Sequence, residues 1–152
     1  MRYLATVFLI ICLAACSTVP VARRGTQSTS PSQAVAPAQE RGALDSVKEF
    51  LLAASATDFH DHRPPDPVRF RDVRMGRVVA PDGSEQYMLC GQFLPAEGGS
   101  RAEWMHFATI KTSGYEQWIG AQAAGFCQSP SVVWEQGGDL SSSLQSRLDS
   151  MR

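Results

Sequence analysis

Val68-Arg69-Phe70-Arg71, the resumption Val78-Val79-Ala80, the tetrapeptide Pro81-Asp82-Gly83-Ser84 and the run 86–94 decide the fold. Apolar and basic residues alternate in the first segment, the period of a strand with one face toward a core. The pattern slips after Asp72, at Met75-Gly76, which predicts a β-bulge there. In the tetrapeptide, proline presets one dihedral and glycine supplies a positive φ, so the chain reverses. Residues 86–94 then form the return strand of a hairpin.

More strands follow. Residues 95–100, with Gly98-Gly99, form a second turn, and 103–111 a third strand. Its alternation sets Trp104, Ala108 and Ile110 on one face and Met105, Phe107 and Thr109 on the other. Ser113-Gly114 turns the chain again. Residues 115–119 read as a fourth strand, although the run 115–124 also fits a helix. Residues 131–135 fit a short edge strand.

Helices flank this meander. Over residues 43–57, Leu44, Val47, Leu51 and Ala54 fall on one helical face, and Phe50 widens it. Asp45 and Glu49 lie toward the favourable N-terminal end. The helix must end before Pro64-Pro65. At the other end, Gly137-Gly138 breaks the chain and Asp139 is a suitable N-cap. Leu140, Leu144, Leu148 and Met151 then make one narrow stripe, suited to docking on the sheet. The expected class is α+β: an N-terminal helix packed on an antiparallel meander of three to five strands, with a C-terminal helix.

The chain has 152 residues, enough for one domain of ordinary size plus tails. Its net charge of -1 argues against a general nucleic-acid binder. Thirteen of the first fifteen residues are apolar. Arg2 precedes an apolar stretch at 3–13, long enough for a signal-peptide core and too short for a permanent span. Residues 17–42 are rich in Ser, Thr, Pro, Gln and Ala, with no aromatic residue, Leu or Ile. Such a segment buries too little apolar surface to offset its ordering entropy and reads as a disordered tether. The expected organisation is a signal peptide at 1–15, the tether at 16–42, the α+β domain at 43–136 and a helical tail at 137–152.

The apolar stretch ends in Leu13-Ala14-Ala15-Cys16, which resembles the lipobox of bacterial lipoproteins. The resemblance implies that Cys16 becomes the lipidated mature N-terminus, carrying diacylglyceryl and fatty acyl (palmitate-type) chains. Several chains on one residue anchor a protein stably. It also implies the periplasmic side of the outer membrane rather than the inner membrane, since Ser17 stands where inner-membrane retention uses Asp. Export leaves two thiols in an oxidising compartment, Cys90 and Cys127, which most simply form one disulfide; the alternative is a free catalytic thiol.

Four groups carry possible chemistry. Asp58-Phe59-His60-Asp61-His62 is dense in metal ligands, and His60 and His62 would project together from an extended segment. No second His or Cys group completes a site, so a polar linker is the plainer reading. Cys90 with His106 or His60 is the set for a Cys-His hydrolase, but Cys90-Gly91 lies in a strand, where no helix terminus activates the thiol. Arg63, Arg69, Arg71, Arg74 and Arg77 make a basic run, and Arg69 and Arg71 share a sheet face. Arg69, Arg71 and Arg74 could meet anionic groups such as peptidoglycan carboxylates, lipid phosphates or an acidic protein. The alternative is a solvated face paired with nearby acids. Trp104, Trp118 and Trp134 serve packing or line a groove. No serine elbow, phosphate loop or dinucleotide fingerprint occurs, and no cofactor is implied.

Asp66-Pro67-Val68-Arg69-Phe70-Arg71-Asp72-Val73, placed between a helix and Leu89-Cys90-Gly91, is similar to a domain of uncharacterised exported bacterial proteins. The resemblance spans about residues 43–127 and implies the helix-plus-sheet fold but no activity. It departs after Gly91, at Phe93-Leu94-Pro95 and Gly98-Gly99. The combined expectation is a membrane-anchored periplasmic lipoprotein that acts as a binding or scaffold module, with an envelope protein or peptidoglycan as partner and no catalytic activity evident. A metal-dependent or Cys-His enzyme and a small inhibitor or immunity-type lipoprotein, using a loop at 95–100, are the alternatives.

Overall fold

A computed structural model describes residues 36–63, 65–97 and 103–152, with backbone alone for 36–38. The signal peptide, Cys16 and most of the expected tether lie outside the described residues. The elements run α1 (Ala36–Asp61), β1 (Pro67–Val79), β2 (Glu85–Pro95), β3 (Met105–Lys111), β4 (Tyr115–Ile119), α2 (Ala121–Cys127), β5 (Val132–Trp134) and α3 (Ser141–Asp149). The fold is α+β, with one five-stranded antiparallel sheet in the order β4-β3-β2-β1-β5. Strands β1 to β4 form the expected meander. The chain then returns through α2 to lay β5 beside β1, so the segment 115–124 contains both a strand and the first turn of a helix.

The sheet has two different faces. Helices α1 and α3 cover one, burying Leu51, Leu52, Ala56, Phe59, Leu144 and Leu148 against Phe70, Val73, Met75, Leu89, Phe93 and Phe107. Helix α2 covers part of the other through a smaller cluster of Met88, Cys90, Ala108, Ile110 and Ala123. Helices therefore lie on both faces of the sheet. At about 25 cal/mol per Å², burial of large apolar side chains such as these dominates the stability of the domain.

Helix α1 is longer than expected at both ends. It begins at Ala36, seven residues early, because the Ala-, Gln- and Glu-rich stretch forms helix readily and Pro37 is tolerated in a first turn. It ends at Asp61 because Phe59 extends the buried face of Leu51, Leu52, Ser55 and Ala56. Phe59 sits among Phe70, Phe93 and Phe107, with ring centroids 5.3, 5.0 and 5.4 Å away. Such tilted and edge-to-face pairs add to area burial. Phe50, expected to widen the buried stripe, is 38% exposed, with Lys111 Nζ 4.8 Å from its ring centroid.

The bulge in β1 lies at Asp72–Val73, three residues before the expected Met75-Gly76. Arg71 pairs with Gln92 and Arg74 with Cys90, so two residues oppose Gly91 alone. Asp72 takes a positive φ of 54°, a conformation that aspartate tolerates better than most residues. Val73 turns inward and is fully buried. Its N–H, lost to the ladder, donates to Asp139 Oδ1 and Ser141 Oγ, each at 3.2 Å, and its carbonyl accepts from Leu140 N at 2.7 Å. The bulge is thus the seat of α3. Asp139, expected as the N-cap, stands one residue before the observed N-cap, Leu140, and accepts from Ser141 N at 2.9 Å.

Gly91 is required by the same geometry. A Cβ there would lie 2.8 Å from both Val73 Cγ2 and Phe107 Cε1. A side chain at this point would displace two core residues at once.

Candidate functional site

The bulge also decides which charges share a face. Strict alternation from Arg69 and Arg71 would turn Arg74 toward α1 and α3. The extra residue restores parity, so Arg69, Arg71 and Arg74 all pair with outward positions on the α2 side of the sheet and are exposed, with Met75 inside. Asp72, which alternation would bury, is carried outward as well and its side chain is 75% exposed. Arg77 leaves the group. It is ion-paired with Glu85 of β2 at 3.0 Å and with Glu135 just after β5, and ties three strands together on the opposite face.

Two arginines are seated on tryptophans. The Arg71 guanidinium carbon lies 4.1 Å from the Trp104 ring centroid, and that of Arg74 4.5 Å from Trp134. Stacking holds the planar fork in place and leaves its N–H edge available to an anion. Arg71 Nε also donates to Gln92 Oε1 at 2.7 Å. Because arginine can only donate, the amide nitrogen of Gln92 faces His106 and donates to its Nε2 at 3.0 Å. That contact places the imidazole proton on Nδ1. The line Arg71–Gln92–His106 crosses β1, β2 and β3. Among the described residues, Arg69 and Arg74 make no hydrogen bond or ion pair.

Beside this line lies a cleft of about 420 Å³, bordered by Asp72, Arg74, Gln92, His106, Gln128 and Trp134, with the Cys90–Cys127 pair and Asp139 in its wall. The two sulfurs are bonded, 2.05 Å apart, with Cα atoms 5.8 Å apart. Cys90 lies centrally in β2 and is 3% exposed, and Cys127 ends α2. The bond pins α2 to the sheet. Asp139 feels burial, which raises its pKa, but hydrogen bonds from the Ser141 hydroxyl, Ser141 N–H and Val73 N–H, with the Arg74 charge, outweigh it and leave it below the ordinary carboxylate value. Asp139 is therefore a carboxylate committed to the start of α3, whereas the Asp72 side chain is 75% exposed, with Arg71 Nε 3.7 Å away.

The remaining sequence candidates fall elsewhere. His60 lies inside α1 and His62 just beyond its end, so they do not share the face that an extended segment would have given them. His60 Nδ1 contacts Asp61 at 2.7 Å and His62 Nδ1 contacts Asp58 at 3.1 Å. Among the described residues no three His, Cys, Asp or Glu side chains form a set able to hold a metal. With Cys90 in a disulfide, the Cys-His arrangement lacks its thiolate. Of the loop expected at 95–100, residues 98–100 lie outside the described residues. None of the described helices is long and apolar enough to cross a membrane.

What sequence reading missed is the partnership of Trp104 and Trp134 with the arginines and the recruitment of Gln92 and Asp72. Trp104, Trp134 and Gln92 are far from the arginines in sequence and only strand register joins them, while Asp72 is brought to this face by the bulge. Comparison with known proteins finds no matching family model, no similar curated protein and no similar solved structure.

Proposed function

We propose that this chain is a lipid-anchored protein of the bacterial envelope, held by acyl chains on Cys16 at the periplasmic side of the outer membrane, and that it acts as a binding module. Its binding face is the outer side of β1 and β2, where Arg69, Arg71 and Arg74 meet anionic groups of peptidoglycan or of an envelope protein. The observation that carries this reading is the seating of Arg71 and Arg74 on tryptophan rings beside an open cleft. Arg77 by contrast is held by two acids, whereas Arg71 has only a 3.7 Å contact with exposed Asp72, and Arg74 has no ion pair among the described residues.

The test uses the full chain in its own envelope. After mild crosslinking, the wild type is expected to co-purify with a partner or with sacculus fragments, and the triple variant R69Q/R71Q/R74Q to lose them. Cys16→Ala is expected to move the protein from the membrane to the soluble fraction. Unchanged crosslinks in the triple variant would remove the binding face. Membrane retention of Cys16→Ala would remove the anchor.

A further inference from the structure

The reading of the arginine face as a binding surface leaves open what the cleft takes, and its charges narrow that choice. Arg74 is the one arginine among its bordering residues. It stacks on Trp134 and, among the described residues, spends none of its N–H groups on protein. Two carboxylates, Asp72 and Asp139, border the same space. A phosphate or other multiply charged anion set against Arg74 would meet both at close range and be repelled. A ligand with a negative and a positive end would not.

Asp139 is held by Val73 and Ser141, whereas Asp72 is 75% exposed with a single 3.7 Å contact to Arg71 Nε, so Asp72 is the more open acid for a ligand's cation. Asp72 and Arg74 stand on either side of Val73 at the bulge, and both border the cleft. Among the described residues no ion pair joins them, although both are exposed. An acid and a base on the rim of one cleft suit an ammonium and a carboxylate borne on the same carbon. Asp72 reaches this position only through its positive φ, a costly backbone conformation whose side-chain result is a charge at the cleft rim. The Gln92 and Gln128 amides and the Nδ1–H of His106 supply hydrogen-bonding groups for an amide-containing body, and Trp134 supplies an apolar face.

We infer that the cleft binds the zwitterionic α-amino acid head of a ligand, its carboxylate on Arg74 and its ammonium on Asp72. In the envelope, the side-chain end of a diamino acid in a peptidoglycan stem peptide carries this group, as does a free amino acid. The inference rests on the reading of this face as a binding surface.

The test is titration of the purified full chain with meso-diaminopimelate, with a muropeptide containing it, and with the N,N′-diacetylated amino acid, followed by Trp134 indole and Asp72–Arg74 amide resonances. Saturable shifts are expected with the first two and binding about tenfold weaker or worse with the acetylated form, which keeps its carboxylates and lacks the ammonium. D72N and R74Q should each weaken binding by a similar factor while leaving the unfolding midpoint in place, since both side chains are exposed. Tighter binding of the muropeptide than of the free amino acid assigns the peptidoglycan source, and equal binding assigns the free amino acid. Equal binding of the acetylated form overturns the inference and leaves the arginine face standing. So does a lack of binding by every probe while the crosslinks remain arginine-dependent. Crosslinks that ignore the arginines overturn the functional reading itself.

Discussion

Reduction of Cys90–Cys127 is expected to destabilise the domain by about 4 kcal/mol without dissolving its main core. The bond closes a loop between residues 37 apart in sequence. In the chain-entropy description, releasing such a loop returns about 13 cal/mol/K to the unfolded chain, or about 4 kcal/mol at 25 °C. At about 4 °C per kcal/mol for a domain of this size, the melting midpoint should fall by roughly 16 °C. The structure also says where the damage will be. Helix α2 has seven residues and buries only Ala123, too little to hold itself on the sheet. The larger cluster under α1 and α3 contains no residue of α2. Reduced protein should therefore keep its far-ultraviolet signal at low temperature, and amides of Ala121–Cys127 should lose their exchange protection first. The assay is guanidinium unfolding of the full chain with and without reductant, with Cys90→Ala/Cys127→Ala as a second route to the open form. A loss below about 1 kcal/mol by both routes would refute the reasoning, because loop closure would then contribute almost nothing.

Three other outcomes follow from particular residues. Gly91→Ala is expected to cost about 1–3 kcal/mol by chemical denaturation, since its Cβ would press on Val73 and Phe107; a neutral effect would mean that the bulge can shift. Asp139→Ala should cost about 1–2 kcal/mol at neutral pH by freeing the Ser141 N–H and half-freeing the Val73 N–H. Because the folded pKa is depressed, that contribution is present above the ordinary carboxylate value and is lost as pH falls through the lower folded one; wild type and variant should converge there in pH-dependent unfolding. Tyr87 has its pKa pushed up to about 12, by burial first and then by the hydrogen bond to Glu85 and its charge. A raised folded value means that its contribution is full below pH 10 and falls away as pH rises toward 12. Tyr87→Phe should flatten that alkaline loss, and an unchanged slope in the variant would count against the assignment.

Residues 85–95 and 105–111 follow the alternation visible in the chain, and the turn at Pro81-Asp82-Gly83-Ser84 closes as its chemistry requires. Gly83 has φ 83°, Gly83 N–H donates to Ala80 O at 2.9 Å, and Ser84 N–H donates to Asp82 Oδ1 at 2.9 Å. These are local effects of backbone dihedrals and side-chain period, so the sequence expresses them directly. The stripe of Leu140, Leu144 and Leu148 was equally legible, although Met151 beyond it stays 38% exposed. The exposed arginines were readable as a group. Their tryptophan seats were not, because nothing near Arg71 or Arg74 in sequence announces Trp104 or Trp134.

By itself, then, the sequence determined the α+β class, the hairpin with its turn, the pairing available to Cys90 and Cys127, and the basic character of β1. Tertiary structure decided the place of the bulge, the need for Gly91, the reach of α1 to Asp61 and the side of the sheet on which Asp72 emerges. The bulge shows why. The alternation around Asp72-Val73-Arg74-Met75 can be slipped at either end, and local propensities differ too little to choose. The choice falls to contacts far along the chain: Asp139 and Ser141 capture the freed N–H of Val73, and Phe107 leaves room opposite only for a glycine. A one-residue slip reverses every following side chain. The partner that rewards one slip over another therefore sets both the core and the charged face, and that partner is brought near only by folding.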